Sequence, residues 1–309
     1  MKKKGRNHTT EGRCTSMHNI KGLIIINAFS DAQIATAARF KDEFARLGVA
    51  VEIKRNNVFL SWIKEGKCLV DNYHYDFCIY YDQDIYIGRL LERHGIRLFN
   101  NISSIEICAD KMLTHIALTN LGIKMPNTIS GFWCYTEDKN YTDNQINYII
   151  EQLKLPLIAK LCYGSSGDSV FLIKTKQDLQ EFCFKYKLQP HLFQEFIQSS
   201  FGKDIRIIVI GNKAIGAMQR TNTNDFRSNL ACLGKGELFP LDKNLKTLAE
   251  KVSRTLHLDY CGVDLLVGAD GEPILCEVNS NAFIVGFEKY TGINVASVYA
   301  KYILTMLNS

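Results

Sequence analysis

The sequence predicts a protein of mixed α/β and α+β class, a small parallel α/β domain followed by a longer α+β region. Three observations carry that prediction. Short apolar runs alternate with amphipathic stretches between residues 21 and 99, the pattern of parallel strands joined by helices. An apolar run at Leu157–Leu161, with Lys160 at its end, leads into the glycine-rich turn Tyr163–Ser169. Further on, two apolar runs meet at Asp270-Gly271, a strong hairpin signal.

Taken in order, Lys21–Asn27 is continuously apolar and reads as a buried strand. Asp31 is placed to cap a helix in which Ile34, Ala37, Phe40, Phe44 and Leu47 keep helical spacing, and Gly48 ends it. Strands at Val49–Ile53 and Asp76–Tyr80, a helix at Asp84–His94 stopped by Gly95 and a short strand at Arg97–Phe99 complete a domain over residues 20–105. No G-x-G-x-x-G follows its first strand, which argues against dinucleotide binding.

Asp110 caps a helix expected over Lys111–Leu121, with Gly122 ending it and Pro126 closing the turn. A strand at Thr128–Trp133, a helix ending at Leu153, strands at Leu157–Leu161 and Val170–Ile173 and a helix at Gln177–Lys187 fill a central subdomain over residues 106–190. The strand His191–Ile197 then opens the C-terminal subdomain, residues 191–309. Asp204–Ile210 and Lys213–Gln219 form a hairpin across Gly211-Asn212, and the arginine-rich loop Arg220–Leu230 follows.

Charged residues at 22% and hydrophobic residues at 46% describe an ordinary globular chain, long enough for two or three subdomains. The net charge is +5, of which residues 1–19 supply +4. The rest is near neutral, which argues against a nucleic-acid face, and residues 1–19 read as a disordered basic tail. No apolar run reaches membrane-spanning length. The ten cysteines are scattered from Cys14 to Cys276 with no C-x-x-C pair, and those in apolar runs, such as Cys78 and Cys276, read as reduced core residues of a cytoplasmic protein. Nothing in the sequence fixes the oligomeric state, and a homo-oligomer stays open.

The hairpin carries the first chemical signal. If Asp270-Gly271 is a two-residue loop, Ala269 pairs with Glu272 and Asp264 falls opposite Glu277. Alternation then puts Asn279 on the same face. Like charges directly opposite destabilise a sheet, so the pair calls for a cation, and an all-oxygen ligand set suits Mg²⁺ held jointly with phosphates. The alternative is an exposed polar hairpin face. The second signal is the turn Gly164, Ser165, Ser166, Gly167, whose backbone N–H groups can close over phosphate oxygens while Lys160 supplies charge. It lacks the G-K-[ST] ending of a P-loop, and glycine and serine also make plain loops. Arg220 and Arg227 suit phosphate or carboxylate oxygens; taken singly, either reads more readily as a surface arginine.

A longer ordered set joins these signals: A-D-K-M-L-T and L-G-I-K-M-P-N-T, then K-x-x-x-G-S-S-G, Q-E-F-I, D-I-R, D-F-R-S-N-L, C-G-V-D-L-L, and E-V-N followed by G-F-E-K-Y-T-G-I-N-V-A. In this order, from about Asn100 onward, the chain resembles the ATP-grasp superfamily, and within it the ribosomal-protein glutamate ligase (RimK) type of carboxylate-amine ligase. The resemblance implies an ATP-grasp fold preceded by the small α/β domain, with ATP between two α+β subdomains and Mg²⁺, or Mn²⁺, joining its phosphates to the acidic hairpin. It places Lys111 and Lys160 on the phosphates under the Gly164–Gly167 turn, Gln194, Glu195, Phe196 and Ile197 at the adenine hinge, and Asp204 near the nucleotide. Asp264, Glu277 and Asn279 would hold the metal. Arg206, Arg220, Arg227 and Asn229 would face the transferring phosphate and the acyl substrate, an amino acid or a peptide or protein tail, with Asn281 in the substrate-binding segment. Two departures stand out: Leu161 replaces the family's usual proline, and Ala282-Phe283 replaces its Pro-Gly. The implied activity is amide formation through an acyl phosphate. The rival reading is a non-catalytic ATP-binding module that regulates a partner, which loss of a metal ligand or of Arg227 would favour; all are present.

Overall fold

A computed structural model describes residues 20–58, 61–70, 73–164, 167–229 and 234–309, so the expected tail at residues 1–19 lies outside the described residues. The first domain contains β1 (Lys21–Ile26), α1 (Ile34–Arg46), β2 (Ala50–Arg55), β3 (Ser61–Lys64), β4 (Lys67–Val70), β5 (Phe77–Tyr81), α2 (Ile85–Arg93) and β6 (Leu98–Phe99). Four of its strands form a wholly parallel sheet in the order β2-β1-β5-β6, as the continuous apolar runs predict. The β3–β4 hairpin was not anticipated, although its turn, Glu65-Gly66, has positive φ at both residues, which glycine favours. Asp31 does not cap α1: the N-cap is Gln33, and the Asp31 carboxylate pairs with Arg55 instead. The chain leaves β1 for β2 on one side and returns to β5 on the other, so the strand order reverses between β1 and β5. The carboxyl ends of two such strands open the crevice where open α/β sheets hold ligands.

Next come α3 (Ile102–Ala109), α4 (Lys111–Ala117), β7 (Thr128–Ser130), α5 (Asp143–Leu153), β8 (Leu157–Leu161), β9 (Val170–Ile173), α6 (Lys176–Tyr186) and β10 (His191–Glu195). Asp110 caps α4 as expected, but the helix stops before Leu121, because the chain turns at Asn120 and Gly122, both at positive φ. Sheet pairing in β7 ends at Ser130 rather than Trp133. There Gly131 lies so close to His191 that a Cβ would meet its ring at 2.3 Å. These strands make an antiparallel sheet in the order β7-β10-β8-β9. β10 therefore belongs to the central sheet, and the boundary expected between residues 190 and 191 falls one strand early. Conversely, Leu118 and Ile123, placed by sequence in the central subdomain, pack into the core of the last sheet.

That sheet contains β11 (Lys203–Ile210), β12 (Lys213–Thr221) and β13 (Lys235–Phe239), followed by α7 (Lys243–Thr255), β14 (Tyr260–Val267), β15 (Pro273–Asn279), α8 (Val285–Thr291) and α9 (Val295–Leu307). It is antiparallel, in the order β13-β12-β11-β14-β15. Alternation splits its apolar residues between two faces. Ile205, Ile207 and Val263 pack with Leu245, Ala249 and Val252 of α7, whereas Ile208, Ile210 and Tyr260 pack with Tyr299 and Ile303 of α9 and with Phe40 and Phe77 of the first domain. Asn100 reinforces this shared core: its amide donates to Tyr260 O (2.7 Å) and Ser280 O (2.9 Å) and accepts from Tyr260 N (2.9 Å).

Candidate active site

The β14–β15 hairpin pairs Asp264 with Glu277 and Gly262 with Asn279, the register the sequence predicts. It reaches that register by a different route. Ala269 does not face Glu272 across a two-residue loop; Gly268 N donates to Glu272 O at 2.8 Å, and Val267 pairs with Pro273, one residue out of step. A β-bulge at Cys276 absorbs the difference. Leu275 and Val278 both face the core, while Cys276 and Glu277 between them both line the cleft. Cys276 is thus a cleft residue and not the core residue expected. Its Sγ lies 3.8 Å from Lys160 Nζ, and burial pushes its thiol pKa up.

The cleft has a volume of about 1070 Å³ and draws its lining from the three larger sheets and the loops at their ends. Lys111 follows the cap of α4, donates to Gly164 O at 2.8 Å and stands 3.9 Å from Glu277 Oε1. Lys111 and Lys160 are 7% and 8% exposed, so two ammonium groups sit largely out of water with carbonyl, thiol and carboxylate neighbours. Gly164 and Gly167 both have positive φ, and Arg227 joins the turn from the opposite side, donating to Gly167 O at 2.9 Å while pairing with Asp225. Asn229 also lines the cleft; Ser165, Ser166 and Leu230 lie outside the described residues.

Arg206 and Arg220 line the cleft, but their forks are engaged by carboxylates, which corrects the expectation that both present free forks to a substrate. Arg206 holds Asp264 through Nε (2.7 Å) and Nη2 (2.6 Å). Arg220, buried between two acids, grips Asp204 through Nε at 2.7 Å and through Nη2, and also reaches Asp264 at 3.0 Å. Burial opposes the charge on Asp264, yet Arg206 and Arg220 hold its pKa below the ordinary value. Asp204 lines the cleft as expected, with its carboxylate committed to Arg220. Asn281 also lines it, but its amide donates to Asp82 O (2.9 Å) and so fastens its loop to the first domain.

At the other end, Gln194 Nε2 donates to Thr128 Oγ1 (2.9 Å) and lies 3.0 Å from His115 Nε2, while both Glu195 oxygens accept from Asn127 (2.9 Å each). Gln194, Glu195, Phe196 and Ile197 all line the cleft, with the Gln194 and Glu195 side chains bracing the strand end. Burial, with Lys160 nearby, pushes His115 down to about 4, so its imidazole is neutral and accepts from Gln194.

Sequence reasoning missed one wall. Asn27, Gln33, Asp82, Gln83 and Asp84, at the carboxyl ends of β1 and β5, line the same cleft. The available signal was the polar Asp-x-Asp directly after the apolar run Phe77–Tyr81. Asp82 is 2% exposed; Asn56 Nδ2 (2.7 Å), Gln83 N (2.7 Å) and Asn27 Nδ2 (3.2 Å) donate to it, and burial raises its pKa.

Asp264, Glu277 and Asn279 form an all-oxygen donor set of the kind hard divalent cations take. Among the described residues no three His, Cys, Asp or Glu side chains gather as a metal site, so these two acids and the amide are the set available. Their state fits a cation shared with phosphate: Asp264 Oδ1 accepts one hydrogen bond, from Arg206, and Glu277 is half-buried with Lys111 at the edge of ion-pair range.

A family model for the RimK-like ATP-grasp domain matches residues 108–303. Beta-citrylglutamate synthase B of Danio rerio is 34% identical over 230 residues, covering 74% of this chain and 55% of that protein. N-acetylaspartylglutamate synthase A of Homo sapiens is 35% identical over 228 residues, covering 73% and 57%. The chain thus spans little more than half the length of these two curated relatives. Among solved structures, the ATP-grasp ligase PsnB, complexed with a phosphomimetic precursor variant, Mg and ADP, superposes with a TM-score of 0.67 at 14% identity over 94% of this chain and 99% of that one. At that identity the likeness establishes the fold.

Proposed function

The chain belongs to the RimK-like ATP-grasp family, and from that premise we propose that it is an ATP-dependent, Mg²⁺-requiring carboxylate-amine ligase that makes an amide bond through an acyl phosphate. The observation that carries this reading is the placement of Asp264, Glu277 and Asn279 across one cleft from Lys111 and Lys160. A metal-ligand face thereby meets a phosphate-binding face. In the proposed reaction a carboxylate oxygen attacks the γ-phosphorus of ATP, the bond to the bridging oxygen breaks, and ADP leaves. An amine nitrogen then attacks the acyl carbon, the acyl–oxygen bond breaks, phosphate departs, and the nitrogen gives up a proton.

Phosphoryl transfer asks the protein chiefly for alignment and charge neutralisation. Lys111 and Lys160 offset phosphate charge, and the Gly164–Gly167 turn, steadied by Lys111 and Arg227, closes over it. Asp264, Glu277 and Asn279 would hold Mg²⁺, which when bound neutralises phosphate oxygens and orients them for in-line attack. Arg206 and Arg220 keep Asp264 ionised in a buried setting, so its carboxylate is anionic before nucleotide arrives. Arg227 and Asn229 face the transferring phosphate, and Gln194–Ile197 flank the adenine.

Both curated relatives named above are named for products that contain glutamate, so we take L-glutamate as the first amine to test and N-acetylaspartate and citrate as the first carboxylates. The test is ADP release across a matrix of carboxylates and amines, with mass spectrometry of the product. ADP release tied to an amide product is expected. ATP binding without ADP release for any pair would overturn this reading in favour of a non-catalytic module.

A further inference from the structure

The cleft is electrically two-faced. Among the described residues, its basic lining residues are Lys111, Lys160, Lys203, Arg206, Arg220 and Arg227, all beyond residue 110. Among the described residues, the wall supplied by the first domain holds Asp82 and Asp84 with amides and hydroxyls, and no lysine or arginine. Arg55, a cation of that domain, is engaged by the carbonyls of Asn27, Ala28 and Ser30 and by Asp31.

Within that wall Asp82 differs from the other buried acids of the site. Asp204 and Asp264 each have an arginine, whereas Asp82, equally buried, takes only neutral donors and forms no ion pair among the described residues. A buried charge without a counter-ion is costly, and the arrangement is relieved when a cation arrives from the cleft. A second, independent feature points the same way. Ser280 is 2% exposed, its Oγ has no hydrogen-bond partner among the described residues, and it lines the same cleft one residue from Asn281, which grips the Asp82 carbonyl. An orphaned buried hydroxyl beside an uncompensated buried carboxylate is a site short of a polar ligand. Asp82, directly after β5, lies at the reversal of strand order between β1 and β5, the place where open α/β sheets bind ligands, and Ser280 lies in the segment after β15 that Asn281 fastens to it.

We propose that Asp82, with Ser280, forms the receptor for the ammonium group of the amine substrate, so that the first domain selects an amino acid while the remaining chain handles the nucleotide. This rests on the ligase reading above and adds the location and chemistry of the amine site. The acidic wall attracts the ammonium, Asp82 takes one of its protons, and the amine so formed attacks the phosphorylated acyl group held by the basic wall opposite. Asp84 is a weaker candidate, because its carboxylate already caps α2.

The test is calorimetric titration of the Mg·ADP-loaded protein with L-glutamate and other amino acids, and with glutarate as the analogue lacking the amine. Wild-type protein is expected to bind one or more amino acids at least tenfold more tightly than the analogue without the amine. Asp82→Asn should remove that preference and leave Mg·ADP affinity unchanged. Ser280→Ala, which deletes only an unpartnered hydroxyl, should weaken amino-acid binding several-fold, and it decides the matter if Asp82→Asn fails to fold and loses Mg·ADP binding. Amino-acid preference retained in both variants would overturn the ammonium site and leave the ligase reading standing. Failure of the wild-type protein to bind any amino acid, together with absence of ADP release in the substrate matrix, would overturn both.

Discussion

Arg206 grips Asp264 through two parallel hydrogen bonds of 2.7 and 2.6 Å, so the carboxylate at the heart of the acidic hairpin is already neutralised by a resident cation. A divalent ion approaching in the absence of nucleotide must compete with that fork. Arg206→Gln should therefore raise nucleotide-free Mn²⁺ affinity by about tenfold, on the order of 1.4 kcal/mol, measured by electron paramagnetic resonance titration. Equal or weaker Mn²⁺ binding in the variant would show that the arginine does not gate the carboxylate.

Glu277 has the opposite status, since among the described residues Lys111 is its only ion-pair neighbour, at 3.9 Å. Glu277→Ala should leave stability within about 1 kcal/mol of wild type and lower Mg²⁺-dependent ADP formation by about a hundredfold or more. Circular dichroism establishes the fold; normal ADP formation by a folded variant would remove Glu277 from the metal set.

Gly167 combines φ +86 with a Cβ position 3.1 Å from Arg227 Cδ. Gly167→Ala imposes a left-handed backbone on an L side chain, at about 1–2 kcal/mol, and pushes on the arginine that ties the turn down. ATP affinity is expected to fall by roughly five- to tenfold, on this backbone cost, with global stability little changed. Unaltered ATP affinity would show that the turn does not close over phosphate.

His115 makes stability depend on pH. The unfolded chain takes up its proton near the ordinary imidazole value of 6.5, whereas the folded protein does so only at about 4. Between these values the unfolded state binds more protons, so stability falls as pH falls through that window and levels off below it. Urea unfolding should show wild type losing on the order of 3 kcal/mol more than His115→Gln between the two limits. Parallel curves would mean that the imidazole titrates normally.

How legible the site was varies by residue, for physical reasons. Opposite placement of Asp264 and Glu277 was readable because hairpin register follows from loop and pleat. It held only because two single-residue departures cancel, a shifted tip and the bulge at Cys276. The bulge has no clear sequence signature, and it carries Cys276 from the core face into the cleft. The partners of Arg206 and Arg220 were not readable, because they depend on which strands become neighbours: Arg220 meets Asp204 across β11–β12, and Arg206 meets Asp264 across β11–β14. Strand β10 was detected as a strand but assigned to the wrong subdomain, since sequence order does not reveal pairing with β7 and β8. The Asp82 wall escaped notice because the motifs began near residue 100, while the fold brings the ends of β1 and β5 to the same cleft.

The core that joins Phe40 and Phe77 to Tyr260, Tyr299 and Ile303 gives the molecule its mechanical grain. The two ends of the described chain are one cooperative block, and residues 128–195 form an insert with a separate apolar cluster built on Ile149, Leu179 and Phe193. Heat or denaturant should therefore open the insert as one event and the joined ends as another. A fragment beginning at residue 106 would bare the aromatic face of α9 to water and associate through it.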